Sequence, residues 1–69
     1  MSDHVYKVVD LVGTSDKGVQ EAIENAVARA GETIRNIRWF EASQVRGSVE
    51  NNRITHYQVS VRIGFTLDD

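Results

Sequence analysis

Apolar and polar residues follow three rhythms along this chain. Residues 4–12 are rich in valine: Val5, Val9 and Leu11 share one side with Lys7, and Tyr6, Val8 and Val12 share the other with Asp10. The pattern predicts a strand, and one apolar on both sides is normally covered on both sides. The glycine-, serine- and threonine-rich segment 13–18 predicts a turn. Val19, Ala22, Ile23, Ala26, Val27, Ala30 and Ile34 then recur at helical spacing, with Gln20, Glu21, Glu24, Asn25, Arg29, Glu32 and Arg35 between them. This predicts one helix from about residue 18 to about 35. Gly31 costs about 1 kcal/mol relative to alanine inside a helix, so a break there is the alternative. The helix start has two candidate caps, Ser15, or Gly18 with Glu21 following at the third helical position.

The rest of the chain predicts a long hairpin. Tyr57, Val59, Val61, Ile63, Phe65 and Leu67 alternate strictly with His56, Gln58, Ser60, Arg62, Gly64 and Thr66. Before them, residues 38–50 carry the only tryptophan, in Arg38-Trp39-Phe40-Glu41-Ala42. Asn51-Asn52 suits a two-residue turn because asparagine tolerates positive φ. Around that turn Trp39 faces Gly64, Phe40 faces Ile63, Glu41 faces Arg62, Ala42 faces Val61 and Val45 faces Gln58. An indole opposite a residue without a side chain keeps one ring face open.

The element order β-α-β-β has a favoured arrangement. A right-handed crossover makes the first two strands parallel, and the last strand inserts between them, antiparallel to both. The expectation is an α+β fold: a two-layer unit with a three-stranded sheet in order 1-3-2, packed on one helix, with residues 1–69 as a single domain. Toward the hairpin tip the pattern changes parity. Phe40, Ala42, Val61, Ile63 and Phe65 face the helix, but in a regular ladder Val45, Val49 and Ile54 fall on the other side. A β-bulge would restore one-sidedness. Without one, an apolar patch lies on the outer face and marks an interface.

Composition narrows the functional classes. A 69-residue domain buries only about 60% of the surface its unfolded chain exposes, so it needs help to be stable. With no cysteine there is neither a disulfide nor a thiolate metal site, and His4 and His56 show no ligand spacing. Oligomerisation is the remaining remedy. A net charge of −2, with acids and bases intermixed, predicts no nucleic-acid face. No apolar run approaches the roughly 20 residues of a membrane span and no signal peptide is visible, so a soluble cytoplasmic protein is expected. Phosphate-binding glycine loops, histidine-rich metal patterns and nucleophile motifs are absent from the sequence, so neither a catalytic nor a metal site is expected. Glu41 and Arg62 form an ordinary surface cross-strand pair in this reading, and His56 is a solvated hairpin residue. Trp39 keeps two readings, an interface anchor or a stacking platform for a planar ligand.

The chain resembles the dodecins, small flavin-binding proteins, over nearly its whole length. The resemblance is carried by Val5-Tyr6-Lys7-Val8-Val9, Leu11-Val12-Gly13-Thr14-Ser15, Arg38-Trp39-Phe40-Glu41, Val45-Arg46-Gly47, His56-Tyr57-Gln58-Val59 and Ile63-Gly64-Phe65, in that order. Asp10, Asn52 and Thr66 depart from the pattern, where glutamate, glycine and a basic residue are common. The resemblance implies a hollow homododecamer that stores and sequesters flavin, with flavin pairs stacked between two-fold-related tryptophans at subunit interfaces. It implies FMN or riboflavin as ligand, coenzyme A as a second ligand in some members, and no enzymatic turnover. The stacking tryptophan falls on Trp39 and the isoalloxazine-contacting glutamine on Gln58. Val45 and Arg46 match the strand segment beside the flavin, with Arg46 the candidate phosphate contact and Lys7 and Arg29 weaker candidates for coenzyme A. The alternative is a ligand-free oligomeric interaction module with Trp39 as anchor.

Overall fold

Each change of rhythm in the sequence is a change of element. Strand β1 (Tyr6–Ser15) leads to helix α1 (Val19–Gly31), then to strands β2 (Ile37–Glu50) and β3 (Arg53–Thr66). The computed structural model describes residues 3–67. The three strands form one sheet in the order β1-β3-β2, and β3 is antiparallel to both neighbours. The most strictly alternating strand is the central one: one of its faces packs under the helix through Val59, Val61 and Ile63 and the other does not.

The core is built on small side chains. Ala22, Ala26 and Ala30 of α1 press on Val59, Val61 and Ile63 of β3, and Val9, Leu11, Ile23, Val27, Ile34 and Ile37 pack around them. A Cβ built on Gly13 would overlap the Ala22 carbonyl, so this glycine lets the helix backbone lie directly on β1. Both cap candidates have a role. Gly18 is the helix N-cap. Ser15, in a buried position, accepts the Lys17 backbone N–H at 2.9 Å and donates to Glu21 Oε1 at 2.6 Å, tying the turn to the helix. The helix is shorter than the 18–35 expectation: it ends at Gly31, the alternative reading. The Thr33 and Ile34 N–H groups both donate to the Ala30 carbonyl, and the chain turns through Asn36 at φ 65. Ile34 still reaches the core because one further turn follows the helix end without continuing it.

The β2–β3 hairpin closes through Asn51 and Asn52 at φ 54 and 63, the conformation expected of a two-residue turn. Its ladder is interrupted between Ala42 and Gln44, where Ser43 is the extra residue, and near each end, where Arg38 and Thr55 are. The bulges at Thr55 and Ser43 together correct the regular-ladder reading for the segment between them. Gln58 faces Arg46 rather than Val45, and Val45 faces Val59. Val45, Gly47, Val49, Ile54 and Tyr57 therefore continue the helix-facing side, and the apolar patch lies there rather than on the outer face. The helix does not reach it. Thirteen helical residues span about 20 Å, whereas the strands of 14 residues span roughly 46 Å. The molecule is accordingly 55 Å long and 14 Å thin, and the hairpin tip forms an arm. Val45, Val49 and Ile54 stay 59–66% exposed on it.

Candidate functional site

The sheet face opposite the helix carries three of the four candidate residues, Trp39, Arg46 and Gln58. Register places Tyr6, Val8, Asp10, Val12 and Thr14 of β1, Gln58, Ser60, Arg62 and Gly64 of β3, and Trp39, Glu41 and Arg46 of β2 on it. Trp39 occupies one end. Its partner across the ladder is Gly64, and a Cβ built there would overlap the six-membered part of the indole. The ring thus lies on bare backbone and is 38% exposed. Across the central strand the Tyr6 ring meets the indole, with centroids 6.3 Å apart and planes tilted by 57°.

Next along the face, Arg62 bridges two acids: its Nε is 3.4 Å from Asp10 Oδ1 and its Nη1 3.8 Å from Glu41 Oε1. All three are well exposed, so the cluster contributes little to stability and fixes the local charge pattern instead. Beyond it the face is polar. Arg46 Nη2 donates to Gln44 Oε1 at 2.9 Å and to Ser60 Oγ at 3.2 Å. Gln58 lies directly across the ladder from Arg46, and Ser48 Oγ is 3.4 Å from His56 Nε2.

The four sequence-derived candidates thus divide. Gln58 and Arg46 are neighbours on one face. Trp39 shares that face but stands off from them: Gly64 and Gln58 are six residues apart on β3, about 20 Å. Val45 belongs to the other side of the sheet, where it borders a depression with Val49, Ile54 and Tyr57. Of the weaker candidates, Arg29 pairs with Glu32 at 3.6 Å and borders a depression with Asn25 and Thr14, whereas Lys7 faces Phe65 on β1, so one subunit does not unite them. Sequence reasoning missed Tyr6. The signal was a second aromatic on the strand flanking Gly64 from the other side, but using it required the β1–β3 register. Among the described residues no group of three or more His, Asp or Glu side chains is placed to hold a metal ion, and no helix is long and apolar enough to cross a membrane.

A second feature lies on the helix side. Val19, Ile23 and Val27 with Phe40 line an open apolar groove of about 800 Å³ between the helix and the edge strand β2. Phe40 is more than half exposed there. One subunit thus carries an arm with an uncovered apolar side and a groove of the same character.

This arrangement has known counterparts. The family model for dodecin matches residues 5–68. The chain belongs to the dodecin family. Dodecin from Thermus thermophilus is 45% identical over 65 residues, covering 94% of each chain. The solved dodecin of Streptomyces coelicolor is 48% identical and superposes with a TM-score of 0.92, over 100% of this chain and 99% of its own. A more distant relative is calcium dodecin of Mycobacterium tuberculosis, 29% identical over 91% of this chain and 89% of its own. Its crystal structure, described as carrying a novel calcium-binding site, superposes with a TM-score of 0.79.

Proposed function

We propose that this dodecin binds a flavin, FMN or riboflavin, and holds it as a store inside an oligomeric shell without turning it over. The observation that carries the reading is the seating of Trp39: a flat ring on the bare backbone of Gly64, its outer face toward solvent. A planar aromatic ligand fits such a platform by stacking alone. A bound flavin supplies a planar ring that absorbs light and accepts electrons. Trp39, an electron-rich ring in contact with it, quenches its excited state. Gln58 offers both a donor and an acceptor, matching the mixed edge of an isoalloxazine. Arg46 uses a single guanidinium nitrogen for Gln44 and Ser60, so it keeps donors for the phosphate of FMN.

The site is shared between subunits in this reading. An isoalloxazine ring is about half of the roughly 20 Å that separates Trp39 from Gln58 within one chain. Trp39 of one subunit and Gln58 of another therefore close on the same flavin. Val45, on the other side of the sheet, takes part as a segment of the arm that a neighbour covers. Dodecins assemble as oligomers, and the size of the chain and its two uncovered apolar surfaces support association; a closed shell of twelve in the cytoplasm completes the proposed reading.

The test is direct. The purified protein should be yellow, and chromatography should identify the ligand. Added FMN or riboflavin should lose its emission together with that of Trp39. Trp39→Ala should weaken binding by about 1–3 kcal/mol, the scale of base–aromatic stacking. A colourless protein that binds neither flavin, and whose Trp39→Ala variant no longer assembles, would make Trp39 an interface anchor instead.

A further inference from the structure

The Trp39 platform has support from two directions, and only one of them, the Gly64 backbone beneath, was visible in the hairpin. The other is Tyr6. It stands on β1, paired with Thr66, two residues beyond Gly64 along the central strand. From there its ring meets the indole at 6.3 Å and 57°, within the range of favourable tilted and edge-to-face aromatic pairs. Tyr6 itself also meets the His4 ring, with centroids 6.4 Å apart and planes at 62°. Trp39 belongs to an edge strand and follows directly on the extra residue Arg38, so its own backbone gives it less lateral support than a central strand would.

From this geometry we propose that Tyr6 is a positioning residue for the flavin platform, a proposal that rests on the stacking role of Trp39. Gly64 sets the height of the indole and Tyr6 sets its lateral position and tilt. The ring is then confined before a ligand arrives, and stacking requires no further ordering of the side chain. The contact is made by the tyrosine ring, so the hydroxyl is dispensable. Losing a preorganised side chain lowers affinity by roughly 3- to 10-fold, the range for immobilising one rotamer-rich group on binding.

The experiment uses the assembled protein and riboflavin as probe. Because Trp39 is the only tryptophan, its fluorescence anisotropy decay reports its motion without interference. In ligand-free protein, Tyr6→Ala and Tyr6→Leu should give the indole an additional fast nanosecond component, and Tyr6→Phe should match the parent. Riboflavin affinity should fall roughly 3- to 10-fold in Tyr6→Ala and Tyr6→Leu and stay unchanged in Tyr6→Phe. The leucine variant retains apolar bulk if alanine impairs assembly. An unchanged decay in both non-aromatic variants overturns the proposal, and so does an equal affinity loss in Tyr6→Phe, which would make the hydroxyl a ligand contact. Trp39→Ala, measured in parallel, separates the two readings. If it binds riboflavin like the parent, the stacking reading fails and the positioning role falls with it. If it loses binding while Tyr6→Ala leaves affinity and anisotropy unchanged, only the Tyr6 proposal fails.

Discussion

A tryptophan can lie flat on a β-sheet only where the residue beneath it has no side chain. Gly64 is that residue, and its substitution is the most selective way to disturb the platform from below. In Gly64→Ala the new methyl would overlap the indole, which must tilt or leave. Strand β3 is paired on both sides there, so the backbone has little freedom to yield. Riboflavin affinity measured by quenching should fall at least tenfold, about 1.4 kcal/mol, in a variant that still assembles. This pair was legible from the sequence, as was Glu41 beside Arg62, because the extra residue Thr55 on β3 and the extra residue Ser43 on β2 cancel, so the register counted from the turn holds again beyond both. Gln58 was assigned the wrong neighbour because its pairing lies between those two bulges, where the register is shifted by one residue. Tyr6 was not legible at all: its neighbours depend on a strand pairing that no short turn dictates.

At the level of elements, the helix end is the instructive case. The apolar stripe runs on to Ile34, and stripe alone argues for a longer helix. The helix stops at Gly31, and a single extra turn keeps Ile34 in the core, the left-handed Asn36 then leading into β2. Hydrophobic spacing reports which residues face the core, not whether the backbone between them remains helical. Gly31 has no positive φ, and nothing lies within 4 Å of a Cβ built on it. Gly31→Ala should therefore stabilise the protein by about 0.4–1 kcal/mol through the unfolded state, seen as a higher denaturation midpoint with unchanged particle mass. The reversal of parity along β2 was legible as an anomaly: Phe40 and Ala42 on even positions, Val45 and Val49 on odd ones. Whether a bulge or an outer patch resolved it was not legible, because Ser43 and Gln44 are both polar and suit either face.

At the scale of the whole molecule, the uncovered arm and the apolar groove call for neighbours, and in the proposed reading so does the separation of Trp39 from Gln58. Light scattering at low micromolar concentration should give a mass many times the 7.7 kDa of one chain. The shared site has its own test. Trp39→Ala and Gln58→Ala subunits, each poor at binding alone, should recover flavin affinity when unfolded together and reassembled, in proportion to the sites that random mixing makes intact. Mixing restores nothing if each subunit carries a self-contained site. Residue spacing already showed a chain too small for its apolar surface and an apolar patch toward the hairpin tip; what it left open was the side of the sheet on which that patch lies.

The extra residue at Ser43 also has a geometric meaning. A bulge bends and twists the strand that carries it, so it angles the arm against the body of the sheet. Deleting Ser43 would leave Gln44 across from Ser60 and Val45 across from Val59, and every side chain would keep its present side. What would change is curvature. In a closed particle, the angle between one subunit and the next decides how many complete the sphere. A straightened arm should therefore yield particles of a different radius, or open sheets, from subunits whose circular dichroism is that of the parent. By this account the size of the container is set at a single position in the chain.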